Sequence, residues 1–155
     1  MGTRFLLTQE SPVPTTTTDR FLGAAVNDVV VTTAIDGLPQ RVVQNELVHA
    51  LEASGPLRRL LLALRNAMAL RRETGAKIAD LLRSGLAMRR NERLTRAQMI
   101  MAANAPMLAK KGMQDGDPVH GYLPSGTVAG VIEDRPTCAE LVNRIVTEAQ
   151  QTLDG

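Results

Sequence analysis

Two histidines and a single cysteine are the imidazole and thiol groups this sequence has for metal ligation or nucleophilic chemistry. His49 and His120 lie far apart, and neither is read with a cysteine or carboxylate at the spacing a metal site requires. His49 falls between Leu47 and Leu51 in a helical apolar pattern, where a packing or surface role is the expectation. Cys138 falls in the first turn of the last predicted helix, where a helix dipole favours a thiolate. As an isolated cysteine it is expected to act as a small buried apolar side chain. These residues do not assemble a nucleophile with its base, and no Walker loop, dinucleotide-binding glycine fingerprint or nucleophile elbow is present. No catalytic residue is therefore assigned within the chain.

The start of the chain offers a different chemistry. Gly2 has no Cβ, so the amides of Gly2 and Thr3 can face one anion together, and the Thr3 hydroxyl adds a further donor. Charge supplies a second feature. From Arg58 to Lys111 the sequence holds 13 Lys or Arg residues against Glu73, Asp80 and Glu92. Such a face suits phosphates, yet the stretch has no aromatic side chain on which a base could stack. It reads as the solvated side of amphipathic helices, and nucleic acid is not expected as a partner.

The elements that must position these residues are mostly helical. Residues Met1 to Phe5 read as a strand end, and Phe5, Leu6 and Leu7 run into Pro12 and Pro14, which forbid regular structure. Thr15 to Thr18 read as a spacer or helix cap, followed by a short helix from Thr18 or Asp19 through Val26. Val29 to Ile35 is rich in β-branched residues and strand-like. Asp36-Gly37 is a hairpin signal, with Arg41 to Val43 returning antiparallel beside Pro39. Two strands alone are marginal in water, so the hairpin must lean on something else.

Helical periodicity begins at Asn45. Leu47, Val48 and Leu51 mark a short helix ended by Ser54-Gly55-Pro56. Leu57, Leu60, Leu61, Leu64 and Met68 stripe the next, with Arg58, Arg59, Arg65 and Arg72 mostly around its other side. Gly75 breaks it, Ile78 to Leu86 carry another stripe, and Thr95 with Gln98 forms a capping-box pattern before Met99 to Leu108. Pro106 shortens or kinks that helix, and Gly112 to Pro118 is a polar link. Pro136 and Thr137, with Glu140 three positions on, open a final helix carrying Leu141, Val142, Ile145, Val146 and Ala149.

Composition bounds the molecule. The 155 residues amount to about one domain. With no Trp, one Tyr and two Phe, a core must be built from aliphatic residues and seven Met. A net charge of +2 excludes an acidic tail protein or a uniformly basic one. A lone cysteine fits a reducing compartment. No apolar run approaches the roughly 18 residues a membrane span needs, and the start lacks a signal peptide's apolar stretch. A cytoplasmic protein without a membrane partner is expected.

Several blocks in sequence order resemble a known family. GTRFLLTQESP from Gly2, NDVVVTT from Asn27, MAANAPML from Met101, SGTVAGVI from Ser125 and CAELV from Cys138 are similar to the C-terminal part of nitronate monooxygenases. The resemblance implies a C-terminal fragment of an FMN-binding (β/α)8 barrel: mostly α with a short β-hairpin, plus the appended helical segment. Residues 1–44 then comprise the last barrel strand, loop, short helix and hairpin, and residues 45–155 the C-terminal helical segment. It also implies FMN as cofactor, an alkyl nitronate oxidised with O2 as substrate, and a phosphate-contacting segment at Gly2 and Thr3 with Met1 at its margin.

Nothing in this sequence matches the family's catalytic histidine motif, so His49 and His120 are not assigned that role. The Gln that usually follows Ser-Gly is Thr127 here. A (β/α)8 barrel takes about 250 residues, so Met1 reads as an internal residue of a longer protein and the chain alone is expected to be inactive. Its unpaired strands are expected to self-associate. A fragment of a flavin-type enoyl reductase, or a non-enzymatic helical interaction module with a basic face, are the alternatives.

Overall fold

The computed structural model describes residues 2–74 and 104–154. The chain opens not on a strand end but on a short helix, α1 (Gly2–Leu6). No neighbouring strand pairs with it; Leu7, just beyond it, is fully buried in a cluster with Phe21, Val43, Leu123 and Ala129. The threonine run is no spacer either, because it forms the body of α2 (Thr15–Leu22). Its hydroxyls reach outward, Thr16 donating to the Gly116 carbonyl at 2.9 Å and Thr17 to that of Gly112 at 2.6 Å. Gly23 closes α2, so the expected extension to Val26 fails and Val26–Asp28 form a separate 3-10 turn.

The hairpin forms as β1 (Val29–Thr32) against β2 (Gln40–Val43), antiparallel, with Val29 opposite Val43 and Val30 opposite Val42. The strand is shorter than the Val29–Ile35 run. Ala34 and Ile35 leave the ladder and bury themselves in the turn, where Gly37 adopts φ 85°. The period of two along each strand divides the core. Val29 and Val43 face the cluster built on Leu7 and Phe21, whereas Val30 and Val42 face a second cluster of Ile35, Val48, Leu51, Leu108 and Tyr122. Residues 123–125 run along the far side of β2, Val43 N–H donating to the Leu123 carbonyl and Ser125 N–H to that of Arg41, each at 3.0 Å. The outer side of β2 is therefore covered, whereas on β1, the strand expected to lack a neighbour, Val31 is exposed.

Helix α3 (Glu46–Glu52) is capped by Asn45, whose Oδ1 accepts from Val48 N–H at 3.0 Å. Helix α4 (Pro56–Thr74) inverts the expected packing. Its buried positions include Ala63 and Asn66, while Leu57, Leu61, Leu64 and Met68 are exposed, Leu61 at 59% and Met68 at 60%. Asn66 donates to Asn104 Oδ1 at 2.7 Å, and Asn104 in turn donates to the Ile35 carbonyl at 3.1 Å, so this contact is polar and satisfied. The break at Gly75, the Ile78–Leu86 stripe and the Thr95–Gln98 cap lie outside the described residues.

Helix α5 (Asn104–Met113) contains Pro106 and extends through Gly112, which is buried rather than part of a link. Gly112 and Gly121 touch back to back: a Cβ on Gly121 would stand 2.2 Å from Gly112 Cα. After a 3-10 turn at Ala129–Val131, helix α6 (Cys138–Asp154) completes the chain. Its start has the expected reciprocal cap. Thr137 N–H donates to Glu140 Oε2 at 2.8 Å, and Glu140 N–H donates to Thr137 Oγ1 at 3.2 Å. Among the described residues the architecture is mostly helical around one two-stranded sheet. No helix there is long and apolar enough to cross a membrane.

Candidate functional site

Of the residues expected to hold an anion, Met1 lies outside the described residues, while Gly2 and Thr3 form the first turn of α1. A Cβ built on Gly2 would meet nothing within 4 Å, so its place in the fold does not require a glycine. Thr3 is buried, and its Oγ1 accepts from Gly126 N–H at 2.7 Å. That bond joins two of the sequence blocks singled out above, the one at Gly2 and the one at Ser125. The approach is close, since a Cβ on Gly126 would stand 3.0 Å from Thr3 Oγ1. Gly130 is pressed harder, its Cβ position 2.5 Å from the Val26 backbone, which fixes the other end of the loop.

The segment after α5, which runs beside β2 to this glycine, carries the feature that sequence reading missed. Ser125 Oγ is buried and has no hydrogen-bond partner among the described residues. A buried hydroxyl left unpaired costs about 1–3 kcal/mol, and such groups in native folds mark a water, an ion or a ligand. Thr3 has spent its acceptor on Gly126 but keeps its own O–H to donate. Gly2 and Thr3 also carry amides at the start of a helix, where the first N–H groups have no intrahelical partner. Gly2, Thr3 and Ser125 thus carry neutral hydroxyl and amide donors, the chemistry that suits an oxyanion such as a phosphate. The only signal for Ser125 in the sequence was its membership of the SGTVAGVI block.

The nearby cations are committed elsewhere. Arg4 bonds the Asp134 carbonyl at 2.9 Å and pairs with the Asp134 carboxylate, which Arg144 also holds. Hydrogen bonding from Arg144, with the Arg4 charge behind it, keeps the Asp134 carboxyl below the usual carboxylate range. Arg41 donates to Thr127 Oγ1 at 3.1 Å, which ties Thr127 to β2.

Gly2, Thr8, Glu10 and Cys138 share a surface depression of about 460 Å3. The Cys138 amide donates to both Glu10 carboxylate oxygens at 3.0 Å, and this bond holds the Glu10 carboxyl below its ordinary value. The Cys138 thiol is partly exposed and donates to Thr8 Oγ1 at 3.5 Å.

Neither histidine joins this corner. His49 is exposed beside Gln44. His120 does have a carboxylate that sequence reading overlooked: Asp117, three positions earlier, lies 3.1 Å from its Nδ1. The His120 amide keeps Asp117 below the ordinary carboxylate range, with Lys111 3.4 Å away. Among the described residues no group of three or more His, Cys, Asp or Glu is placed to hold a metal. Much of the basic stretch lies outside the described residues; its first part lies on α4.

The sequence model described as Nitronate monooxygenase matches residues 1–148. A (3aS,4S,5R,7aS)-5-hydroxy-7a-methyl-1-oxo-octahydro-1H-indene-4-carboxyl-CoA dehydrogenase of Rhodococcus jostii is 45% identical over 155 residues, covering 100% of this chain and 44% of that protein. The protein of the same description from Mycobacterium tuberculosis is 47% identical over 149 residues, covering 96% and 42%. The chain therefore spans less than half the length of these relatives. Among solved structures, FabK from Thermotoga maritima superposes with a TM-score of 0.57 at 22% identity over 99% of this chain and 37% of that one. A mutant of it gives 0.58 at 19% identity, covering 99% and 34%. At these identities the likeness is one of fold.

Proposed function

The chain belongs to the nitronate monooxygenase family, and from that premise we propose that it forms part of an FMN-dependent oxidoreductase acting on a coenzyme A thioester. The observation that carries the cofactor is the bond from Gly126 N–H to Thr3 Oγ1, next to Ser125, whose Oγ is buried and unpaired among the described residues. Thr3 and Ser125 hydroxyls, with the Gly2 and Thr3 amides, would hold the FMN phosphate. They donate hydrogen bonds without adding charge, and Gly2 leaves the approach open. The Gly126 bond holds the Thr3 hydroxyl oxygen in place before any ligand arrives, so little ordering remains to be done on binding. When bound, the flavin supplies the redox chemistry. No residue of this chain is assigned to the reacting atoms, and the strands of a (β/α)8 barrel would be supplied from outside these 155 residues.

The substrate class rests on the two relatives, both described as dehydrogenases of a carboxyl-CoA compound and 45% and 47% identical to this chain. Oxidation of an alkyl nitronate with O2 is the second reading, and the family's description favours it. One chimera separates them: the R. jostii relative with its matched region replaced by this chain. The expected outcome is a yellow protein that oxidises the relative's coenzyme A thioester faster than it consumes O2 with an alkyl nitronate. The reverse preference would give the nitronate reading; a folded, colourless chimera would reject both.

A further inference from the structure

Helix α4 carries five arginines against one acid, Glu73. Arg58, Arg65 and Arg72 recur every seven residues, which places them on one side of the helix, about 10 Å from one to the next. All three are exposed, and none makes a hydrogen bond or ion pair among the described residues. Exposed arginines on a helix are ordinary when they alternate with acids. Here they stand unneutralised beside exposed leucines, which an ordinary solvated face would not carry.

Between α3 and α4 lies a groove of about 390 Å3. Its apolar floor includes Leu47, Leu51 and Leu61, Arg58 and Arg65 stand in its wall, and no carboxylate lines it among the described residues. Arg59 is different in kind. Its Nε donates to the Leu51 carbonyl at 2.8 Å and its Nη2 to the Glu52 carbonyl at 3.0 Å, so it ties α4 to the end of α3. The groove is therefore held at one end by a buttress, and its free cations flank a surface on which apolar matter can lie.

We propose that this groove binds the nucleotide end of coenzyme A, with Arg58 and Arg65 on its phosphates and the leucine floor under its apolar parts. The proposal rests on the coenzyme A thioester reading above. Coenzyme A joins a pyrophosphate and a 3′-phosphate to a flat adenine ring and to an arm with a gem-dimethyl group, so several cations along one edge of an apolar surface suit it. Planar guanidinium forks match phosphate oxygens two at a time, better than ammonium groups do. Arg72 continues the row beyond the groove along α4. Pockets of a few hundred Å3 with an apolar lining and a few placed polar groups are the usual size for such a ligand part.

The test is calorimetric titration of coenzyme A into the full 155-residue chain. Saturable binding is expected that weakens steeply as salt is raised. In the R58Q/R65Q double variant it should weaken about tenfold or more, with far-ultraviolet circular dichroism unchanged because both side chains are exposed. R72Q, at the end of the row, should weaken it less. Dephospho-coenzyme A should bind more weakly than coenzyme A. Absence of binding, equal affinity in the double variant, or displacement by an equal concentration of inorganic phosphate would overturn the proposal. None of these readouts uses flavin or turnover. A colourless chimera would defeat the oxidoreductase reading alone, and silent Arg58 and Arg65 would defeat the groove alone.

Discussion

Asn45 makes three hydrogen bonds with one side chain: Oδ1 accepts from Val48 N–H, and Nδ2 donates to the Pro118 and Gly121 carbonyls at 2.7 and 2.8 Å. It caps α3 and holds the 118–121 turn at the same time. Replacing it with Ala removes the cap, worth about 1 kcal/mol, and strips two carbonyls of their donor. Asn45→Ala is expected to cost about 2–3 kcal/mol in urea unfolding. Asn45→Asp keeps the cap but sets a carboxylate against two carbonyls, so it should not rescue; a stability near that of the native chain would refute this account of the residue. At this scale the sequence was legible where bonding is local. Thr137 with Glu140 marks the start of the final helix in the sequence, and the two form a reciprocal cap there. Asn45 was seen only as the start of a helical pattern, because its other partners are more than seventy residues away. Asp117 beside His120 was readable and was missed.

Helix α6 is anchored at its start by acids from two directions. Glu10 and Glu140 accept backbone N–H bonds, from Cys138 and Thr137 respectively, and these bonds hold both carboxyls below their ordinary values. Asp134 is lowered by Arg144 and then by Arg4. A carboxyl lowered in the folded state lends stability that is complete above its unfolded value, near pH 4, and is lost as pH falls through the folded value. The thermal midpoint is therefore expected to hold from neutral pH down to about pH 5 and to drop below pH 4. Glu10→Gln should remove part of that acid drop, and a midpoint flat to pH 3 would contradict the anchoring. Between α5 and the 118–121 turn the constraint is steric. A Cβ on Gly121 would meet Gly112 backbone at 2.2 Å, whereas one on Gly2 would meet nothing within 4 Å. Gly121→Ala is expected to cost on the order of 3 kcal/mol in denaturant unfolding, and Gly2→Ala to change stability by less than about 0.5 kcal/mol. Equal effects would refute the close contact. Hairpin, α3 and α6 were legible because their signals sit within a few residues. The helix at Gly2–Leu6 was not, since five residues are too few to show a period. On α4 the periodicity was right and the buried face wrong, because Asn66 packs on Asn104 through a hydrogen bond that a hydrophobic pattern cannot register.

As a whole molecule, the protein is bound together across its length. Leu7 packs with Leu123 and Ala129, and Thr3 bonds Gly126, so the first residues close on the region after α5. Family membership was legible because several short blocks occur in order; the meeting of the first block with the Ser125 block required the structure. We propose that this meeting forms part of an FMN phosphate site within a larger enzyme. The most direct test is flavin content, measured by absorbance after purification, of the chain alone, of the R. jostii chimera, and of that chimera with Thr3→Val. The chain alone should carry no stoichiometric FMN, for want of the rest of the barrel. The chimera should carry about one FMN per chain, and the Thr3→Val chimera should bind about tenfold more weakly, for loss of a hydroxyl donor and of the bond that holds the Gly126 loop. A Thr3→Val chimera that folds and keeps FMN as tightly as its parent would contradict the claim, as would a folded parent chimera without flavin.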